Sequence, residues 1–587
     1  LSTRAPSPPA RGHLFCISFV MSWCCWNGLA SFSFRSSRST GPESRHTKFG
    51  KRRLLPVRHS SSLEEAYEVS EDVLGTGAFG EVRSCVKKNT TVERVAKIIM
   101  KDAIPDEFAL KDELAIQCDL DHPHICRIFD FFETETAITL VLEACDGGDL
   151  FDVLCKCDAF SEADARHFMK QVLLAVCYMH SQRVAHRDLK PENFLLCKSG
   201  IEHSANQLKV IDFGFARDFE PGRQTMLSKC GTPHFIAPEI WSDAAYDEKC
   251  DVWSCGVILY LFLSGCVPFE GEEIEDIMAK IKATDRLHFD DALWEPVSPP
   301  AKLAIAAMLN SNPGRRVSAE KALRTPWLET PTKECLKTVG SNDSVHSSTI
   351  LKRMRSFRSW NSLKKAAAHL AAYHMDDVEL QEIRNSFQAM DTNSDGKLTL
   401  EELRAGLGDA ALVQDDIDIL FKQMDTDGSG ELEWTEFLTV LSSQRIRDCR
   451  EACQEAFEIL DMDGDGRISL EEMLKSLSRN ASDGEFDRAD FRLCDKDGDG
   501  FICFAEFADL MTQIHCADQT PTAARRSCRN RTCPPAVVRT KSKQHVVRTR
   551  SRNAVVRART STPSTESGGD SSSKSLYTPN RKGLGSF

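Results

Sequence analysis

Twenty-three cysteines are scattered through 587 residues without one C-x-x-C pair, and no histidines are spaced as H-x-x-x-H. Structural zinc therefore has no ligand frame. Dispersed thiols in a chain this long read as reduced side chains rather than as a disulfide scaffold. Extreme composition is missing too: at 41% hydrophobic and 27% charged, the chain is neither wholly disordered nor fibrous. With about 150 residues per domain as the prior, a single small domain is excluded.

Charge is absent from Gly12 to Phe34, a stretch long enough to span a bilayer. Ser, Asn and Gly interrupt it, and the first methionine is Met21, so we read a truncated or misassigned start in preference to a membrane anchor. There is no Met-Gly start to accept myristate. Acidic residues are absent from Gln519 to Thr565, and residues 518–587 hold fifteen Lys/Arg against three Asp/Glu, a local +12 in a chain of net −13 that leaves −25 for the rest. The body is acidic and the tail basic. The tail repeats VVR at 537, 546 and 555; we expect it to be solvated and disordered, with weak contact to nucleic acid or an anionic membrane as the alternative. A cytoplasmic monomer is expected.

Residues 1–66 read as a basic, mostly disordered lead-in. Ordered alternation begins near Tyr67, and over 67–328 short β-branched runs give way to longer helical patterns, predicting a β-rich lobe followed by a helical lobe. Residues 329–375 hold a Ser/Thr/Asn/Gly linker and then a basic amphipathic helix over 350–373, with Ile350, Met354, Phe357, Trp360, Leu363, Ala367 and Leu370 at steps of three or four. A repeated unit follows, two copies in 376–443 and two in 444–513, with first loop residues Asp391, Asp425, Asp461 and Asp495 spaced 34, 36 and 34 apart. Residues 514–587 form the tail.

Leu74-Gly75-Thr76-Gly77-Ala78-Phe79-Gly80 and Val82 make a glycine turn through which a hairpin backbone can approach phosphates. Seventeen residues beyond Gly80, Lys97 sits on an apolar strand where its charge needs a partner, and Glu113 on the next helical pattern can supply it. His186–Asn193, HRDLKPEN, sets Asp188, Lys190 and Asn193 on one loop, and Asp212 opens a DFG. Phosphoryl transfer needs oxygen ligands for Mg²⁺, a cation on the γ-phosphate and an acceptor near the attacking hydroxyl. Asn193 with Asp212, then Lys190, then Asp188 fill those needs.

Together with Ala237-Pro238-Glu239 and the DVWSCG run from Asp251 to Gly256, these motifs resemble the eukaryotic protein kinases in order over about 260 residues. The resemblance implies an α+β bilobal fold, ATP as cofactor, Leu142 as gatekeeper and Glu143 to Cys145 as the adenine hinge. It further implies a pair between Arg316 and Glu239, Thr232 beside Asp188 as in Ser/Thr enzymes, and Asp149 and Glu192 facing basic residues of a substrate peptide. Arg187 makes activation-loop phosphorylation at Thr225 or Ser228 conceivable, though ordinary solvated hydroxyls are expected there.

Each repeat matches D-x-[DN]-x-[DNS]-G and closes on Glu at position twelve, which wraps hard oxygens around Ca²⁺. The ligand sets are Asp391, Asn393, Asp395, Lys397, Thr399 and Glu402; Asp425, Asp427, Ser429, Glu431, Glu433 and Glu436; Asp461, Asp463, Asp465, Arg467, Ser469 and Glu472; and Asp495, Asp497, Asp499, Phe501 and Glu506. Lys397, Glu431, Arg467 and Phe501 serve through backbone carbonyls, free of any charge requirement. Cys503 at position nine makes the fourth loop the weakest expected.

Kinase motifs, a basic helix and two EF-hand pairs in one chain resemble the calcium-dependent protein kinases of plants and protists over about 67–513. That implies a calcium-activated serine/threonine kinase whose junction helix is autoinhibitory, a calmodulin-target pattern supplied in cis. A plain linking helix is the bland alternative. A calcium buffer with a dead kinase would have lost Lys97, Asp188 or Asp212, and a kinase served by separate calmodulin would have damaged loops; neither loss is present.

Overall fold

The computed structural model describes residues 57–512, apart from 60–61, 78–79, 89–91, 104–113, 243–244, 272, 284–286, 290–291, 330–342, 359, 374, 376–379, 409–413, 443–449, 462 and 479–487. The candidate residues Ala78, Phe79 and Glu113, the stretch 12–34 and the basic tail lie outside the described residues.

Strands β1 (Val57–His59), β2 (Tyr67–Gly77), β3 (Gly80–Lys87), β4 (Glu93–Met100), β5 (Ile128–Glu133) and β6 (Ala137–Glu143) form one sheet in the order β1-β5-β6-β4-β3-β2. All neighbours are antiparallel except β1, which runs parallel to β5. Strand β1 falls inside the stretch read as lead-in; three residues are too few to carry an alternation that sequence reading could detect. Alternating side chains fill two faces. Cys85, Ala96, Phe129, Phe132 and Val141 pack on Leu63 and Tyr67 on one side, while Ile99, Ile128, Ile138 and Leu140 pack on Leu114 on the other.

The helical lobe is built on α1 (Leu150–Cys157), α2 (Glu162–Ser181), α3 (Lys249–Ser264), α4 (Ile274–Ala283) and α5 (Pro299–Met308). Ser161 caps α2 by accepting from the Asp164 amide. Helix α3 is apolar almost all round and buried accordingly. It ends at Gly265, whose φ of 72° suits glycine; a Cβ there would meet Asp158 O at 2.4 Å.

The junction differs from the single helix expected over 350–373. Two helices form, α6 (Asp343–Arg358) and α7 (Ser362–Tyr373). Asn361 explains the restart, since its Oδ1 accepts from the Lys364 amide at 2.8 Å and so caps α7. Among the described residues eight helices follow in pairs around the loops: α8 (Gln381–Met390), α9 (Leu400–Leu407), α10 (Gln414–Met424), α11 (Trp434–Leu441), α12 (Arg450–Leu460), α13 (Leu470–Ser478), α14 (Arg488–Cys494) and α15 (Phe504–Thr512). Helix α6 packs against α9, α10 and α11, whereas α7 lies between α11 and the second pair's α12, α14 and α15. Met354, Phe357, Trp360 and Leu363 are all buried in this core. Among the described residues no helix is long and apolar enough to cross a membrane.

Candidate active site and calcium loops

Register brings the phosphate-loop and lysine motifs together. Val82 on β3 pairs with Lys97 on β4, and Lys97 pairs with Leu140 on β6, so the lysine lies one strand away from the hairpin that closes between Gly77 and Gly80. Gly80 is required by close approach, because a Cβ there would sit 1.8 Å from Ile98 O. Leu74 and Thr76 on the same hairpin are exposed.

Below the sheet, the HRD loop hangs from a buried anchor. Asp251, at the start of α3, accepts from the His186 and Arg187 amides at 2.9 and 2.8 Å and from His180 at 2.9 Å. Burial alone would raise this carboxyl, but the His180 hydrogen bond and the neighbouring charges outweigh it and hold it below its ordinary value. Arg187 and Asp212 both adopt left-handed backbone, with φ of 68° and 63°, a cost tolerated when surroundings over-determine the turn. The Arg187 guanidinium donates to Phe215 O and Tyr246 Oη at 2.6 and 2.9 Å.

On that loop the three chemistry-bearing side chains converge. Asp188 Oδ1 accepts from Thr232 Oγ1 at 2.8 Å, and Lys190 Nζ lies 3.0 Å from both Asp188 Oδ2 and Thr232 Oγ1. Burial would lower the Lys190 ammonium, but Asp188 beside it outweighs that and holds it above its ordinary value. Asn193 Nδ2 donates to Asp188 O at 2.8 Å. The expected Arg316–Glu239 pair forms as a two-pronged contact at 2.5 and 2.9 Å. Asp149 caps α1 through the Asp152 amide, and burial raises its carboxyl and that of Glu192, whose Oε2 is buried with no hydrogen-bond partner among the described residues.

The segment expected to form the hinge carries a feature that its sequence does not show. Glu143 is buried between Lys209 Nζ at 2.9 Å and Arg127 Nη2 at 3.4 Å. Nothing in the local sequence around Lys209 or Arg127 signals this pairing, which only the fold assembles. Cys145, also in the hinge, is partly exposed.

Among the calcium loops, the carboxylates of Asp425, Asp427 and Glu436 each bring an oxygen within 4.8 Å of the others, as do Asp461, Asp463 and Glu472, and Asp495, Asp497 and Glu506. Only oxygens converge, the donor set of a hard cation. In the first loop Asn393 replaces the second carboxylate and donates instead to Asp395 Oδ2 at 2.9 Å. Burial pushes Asp391 up to about 7 and Glu436 up to about 8, a penalty on the bare carboxylates that a bound cation would offset. Backbone bridges join the loops pairwise, Leu398 to Leu432 and Ile468 to Ile502. At position seven, Lys397 lies 3.3 Å from Glu431 and 3.7 Å from Glu433, and Arg467 donates to Asp499 at 3.0 Å, each reaching into the sister loop.

The first pair is attached to the helical lobe. The Thr435 amide and hydroxyl both donate to the Asp121 carboxylate at 2.9 Å, Gln388 meets His124 at 3.1 Å, and Ser181 donates to Asp395 O at 3.2 Å. The second pair reaches the sheet through Lys87 and Glu458, 3.3 Å apart.

Comparison with known proteins agrees with this geometry. Residues 67–328 match the protein kinase domain, and residues 380–442 and 450–512 each match the EF-hand domain pair. The chain is 35% identical over 471 residues to calcium-dependent protein kinase 5 of Plasmodium falciparum (isolate 3D7), covering 78% of this chain and 80% of that relative. It is 32% identical to calcium-dependent protein kinase 3 of Plasmodium berghei (strain Anka), with 79% and 83% covered, and 33% identical to calcium-dependent protein kinase 4 of the same organism, with 81% and 93% covered.

Proposed function

Since the chain belongs to the calcium-dependent protein kinase family, and is thus a calcium-regulated serine/threonine kinase using ATP and a divalent metal, we propose how its residues divide the work. Asp188 receives the proton of the substrate hydroxyl, and Lys190 neutralises charge on the transferring phosphoryl group. The observation that carries this assignment is the Asp188–Lys190–Thr232 triangle, which fixes a carboxylate and an ammonium side by side. Lys97, with Glu113, holds the α- and β-phosphates under the Gly75–Val82 hairpin, and the Glu143–Cys145 backbone holds adenine. Asn193 and Asp212 would hold the metal, which we take to be Mg²⁺: both offer hard oxygens, and the Asn193 amide nitrogen is engaged by Asp188 O, leaving its oxygen for a cation. When bound, the ion offsets phosphate charge. Asp188→Asn tests the core of this reading. Phosphate transfer to a peptide should fall by about 10³-fold or more while nucleotide binding survives, and near-normal turnover would refute it.

Substrates with arginine upstream of Ser/Thr are favoured by the half-buried carboxyls of Asp149 and Glu192, whose burial penalty a peptide cation would relieve. A peptide array preferring acidic or proline-directed sites would contradict this. We place the enzyme in the reducing cytoplasm on its dispersed cysteines, which include no C-x-x-C pair.

Regulation works through α6 and α7. In calcium the two EF-hand pairs enclose Met354, Phe357, Trp360 and Leu363; without calcium these helices leave the grooves and hold the kinase inactive at its substrate face or by withdrawing support from its N-lobe. What supports this is the complete burial of the apolar stripe by EF-hand side chains. A chain ending at Val339 separates the two versions: constitutive activity means the helices inhibit, and calcium-independent inactivity means the module also supports the active kinase. A full calcium response in that chain would end both.

A further inference from the structure

Helix α7 ends against Arg127 and the start of β5, and Arg127 in turn holds Glu143. Arg127, 5% exposed, donates through Nη1 to Tyr373 O at 2.6 Å, the last carbonyl of α7, and through Nη2 to Met375 O at 3.0 Å, two residues beyond it. The same guanidinium lies 3.4 Å from Glu143 Oε1, and the Glu143 amide donates back to Arg127 O at 3.1 Å. Tyr373 adds a hydroxyl bond to Ile128 O at 3.0 Å and an edge-on ring contact with Phe129.

Charge makes this arrangement sensitive. Two buried cations, Arg127 and Lys209, share the carboxylate of Glu143, and Tyr373 O at the α7 terminus supplies the negative end of a helix dipole as complement. Withdrawing α7 would take from the Arg127 fork two carbonyl acceptors that it meets in the docked arrangement, a cost for a charged donor. The Glu143–Cys145 segment would have to readjust.

We propose that Arg127 is a positioning residue that couples seating of α7 by the calcium-loaded EF-hand module to the shape of the nucleotide hinge, so that calcium tightens ATP binding and, reciprocally, nucleotide tightens calcium binding. Reciprocity is a thermodynamic necessity once the two sites share a coupling free energy. This rests on the placing of adenine at Glu143–Cys145 proposed above.

The test uses the full chain. Calcium is titrated by intrinsic tryptophan fluorescence with and without a non-hydrolysable ATP analogue, and KM for ATP and kcat are measured at saturating calcium. In the native protein the analogue should lower the calcium midpoint by about fivefold, the low end of typical couplings. Arg127→Met should abolish that shift and raise KM for ATP by a similar factor with kcat changed less. Should Arg127→Met fail to fold, Arg127→Lys serves: it keeps a charge for Glu143 but lacks the fork that spans two carbonyls, and it should lose at least half of the shift on a logarithmic scale. A native protein whose calcium midpoint ignores the analogue overturns the proposal, as does either variant with the full native shift. Cys145→Pro, which deletes the hinge amide, separates the premises: unchanged KM for ATP there refutes the adenine placement, whereas weakened ATP binding with native linkage in Arg127→Lys refutes the coupling alone.

Discussion

The two EF-hand pairs share a motif but differ in setting. The closing glutamates Glu402, Glu436, Glu472 and Glu506 are buried alike in both pairs, but in the first pair positions three and five, Asn393, Asp395, Asp427 and Ser429, are half-buried, and the pair touches the helical lobe through Asp121, His124 and Ser181. In the second pair the same positions, Asp463, Asp465, Asp497 and Asp499, stand exposed, and Glu458 meets Lys87 at the end of β3. Helix α6 belongs to the first pair, whereas α7 is shared between α11 and the second. The contrast teaches that a calcium loop can be an anchor or a sensor according to what its back face touches. We propose that the first pair docks and the second triggers.

The largest expected break in that contrast comes from Glu472→Gln with Glu506→Gln. Losing both closing carboxylates should raise the calcium midpoint of activity by about tenfold or more while activity at saturating calcium persists, because only ligand charge is removed. An unchanged calcium titration of peptide phosphorylation would take the trigger away from the second pair.

Next in size is Asp121→Ala, which strips both acceptors from the Thr435 amide and hydroxyl. An unmet buried donor costs about 1–3 kcal/mol, so maximal calcium-stimulated activity should drop several-fold with a smaller change in midpoint. A changed midpoint at full maximal activity would reverse the roles of the two pairs.

Glycine substitutions sharpen the comparison. Gly396 and Gly466 have φ of 79° and 85°, so alanine strains both loops alike. A Cβ at 396 would in addition lie 2.6 Å from the Tyr178 ring, whereas at 466 nothing lies within 4 Å. Gly396→Ala should therefore lose more maximal activity than Gly466→Ala; equal losses would mean that loop one does not press on the kinase.

The smallest effect belongs to Glu458→Gln. Its pair with Lys87 is partly exposed, and such pairs contribute about 0–1 kcal/mol. A midpoint shift beyond about threefold would give that contact a larger role than its exposure allows.

Chemistry was more legible in the sequence than assembly. Asp188, Lys190, Asn193 and the loop ligands announce themselves because the reaction or the cation demands those residue types at fixed spacing along a short segment. Lys97 could be placed on a strand, but its register with Val82 needed the sheet. The contacts that join the halves were not readable: Asp121 is an ordinary loop acid and Thr435 an ordinary first-turn residue, and 314 positions separate them. Arg127 and Tyr373 are as far from signalling each other. The division of the junction into α6 and α7 did leave a trace, since Asn361-Ser362 is a helix-start signal that the longer apolar periodicity masked.

The central claim is that the docked arrangement, with both helices enclosed and Thr435 on Asp121, is the active one. Asp121→Cys with Thr435→Cys, oxidised to a disulfide across that contact, would hold it without calcium. Peptide phosphorylation by this variant in chelator is the direct measurement. The account predicts activity near the calcium-saturated level while the bond is intact and renewed calcium dependence after reduction. Full calcium dependence in the crosslinked protein would contradict it.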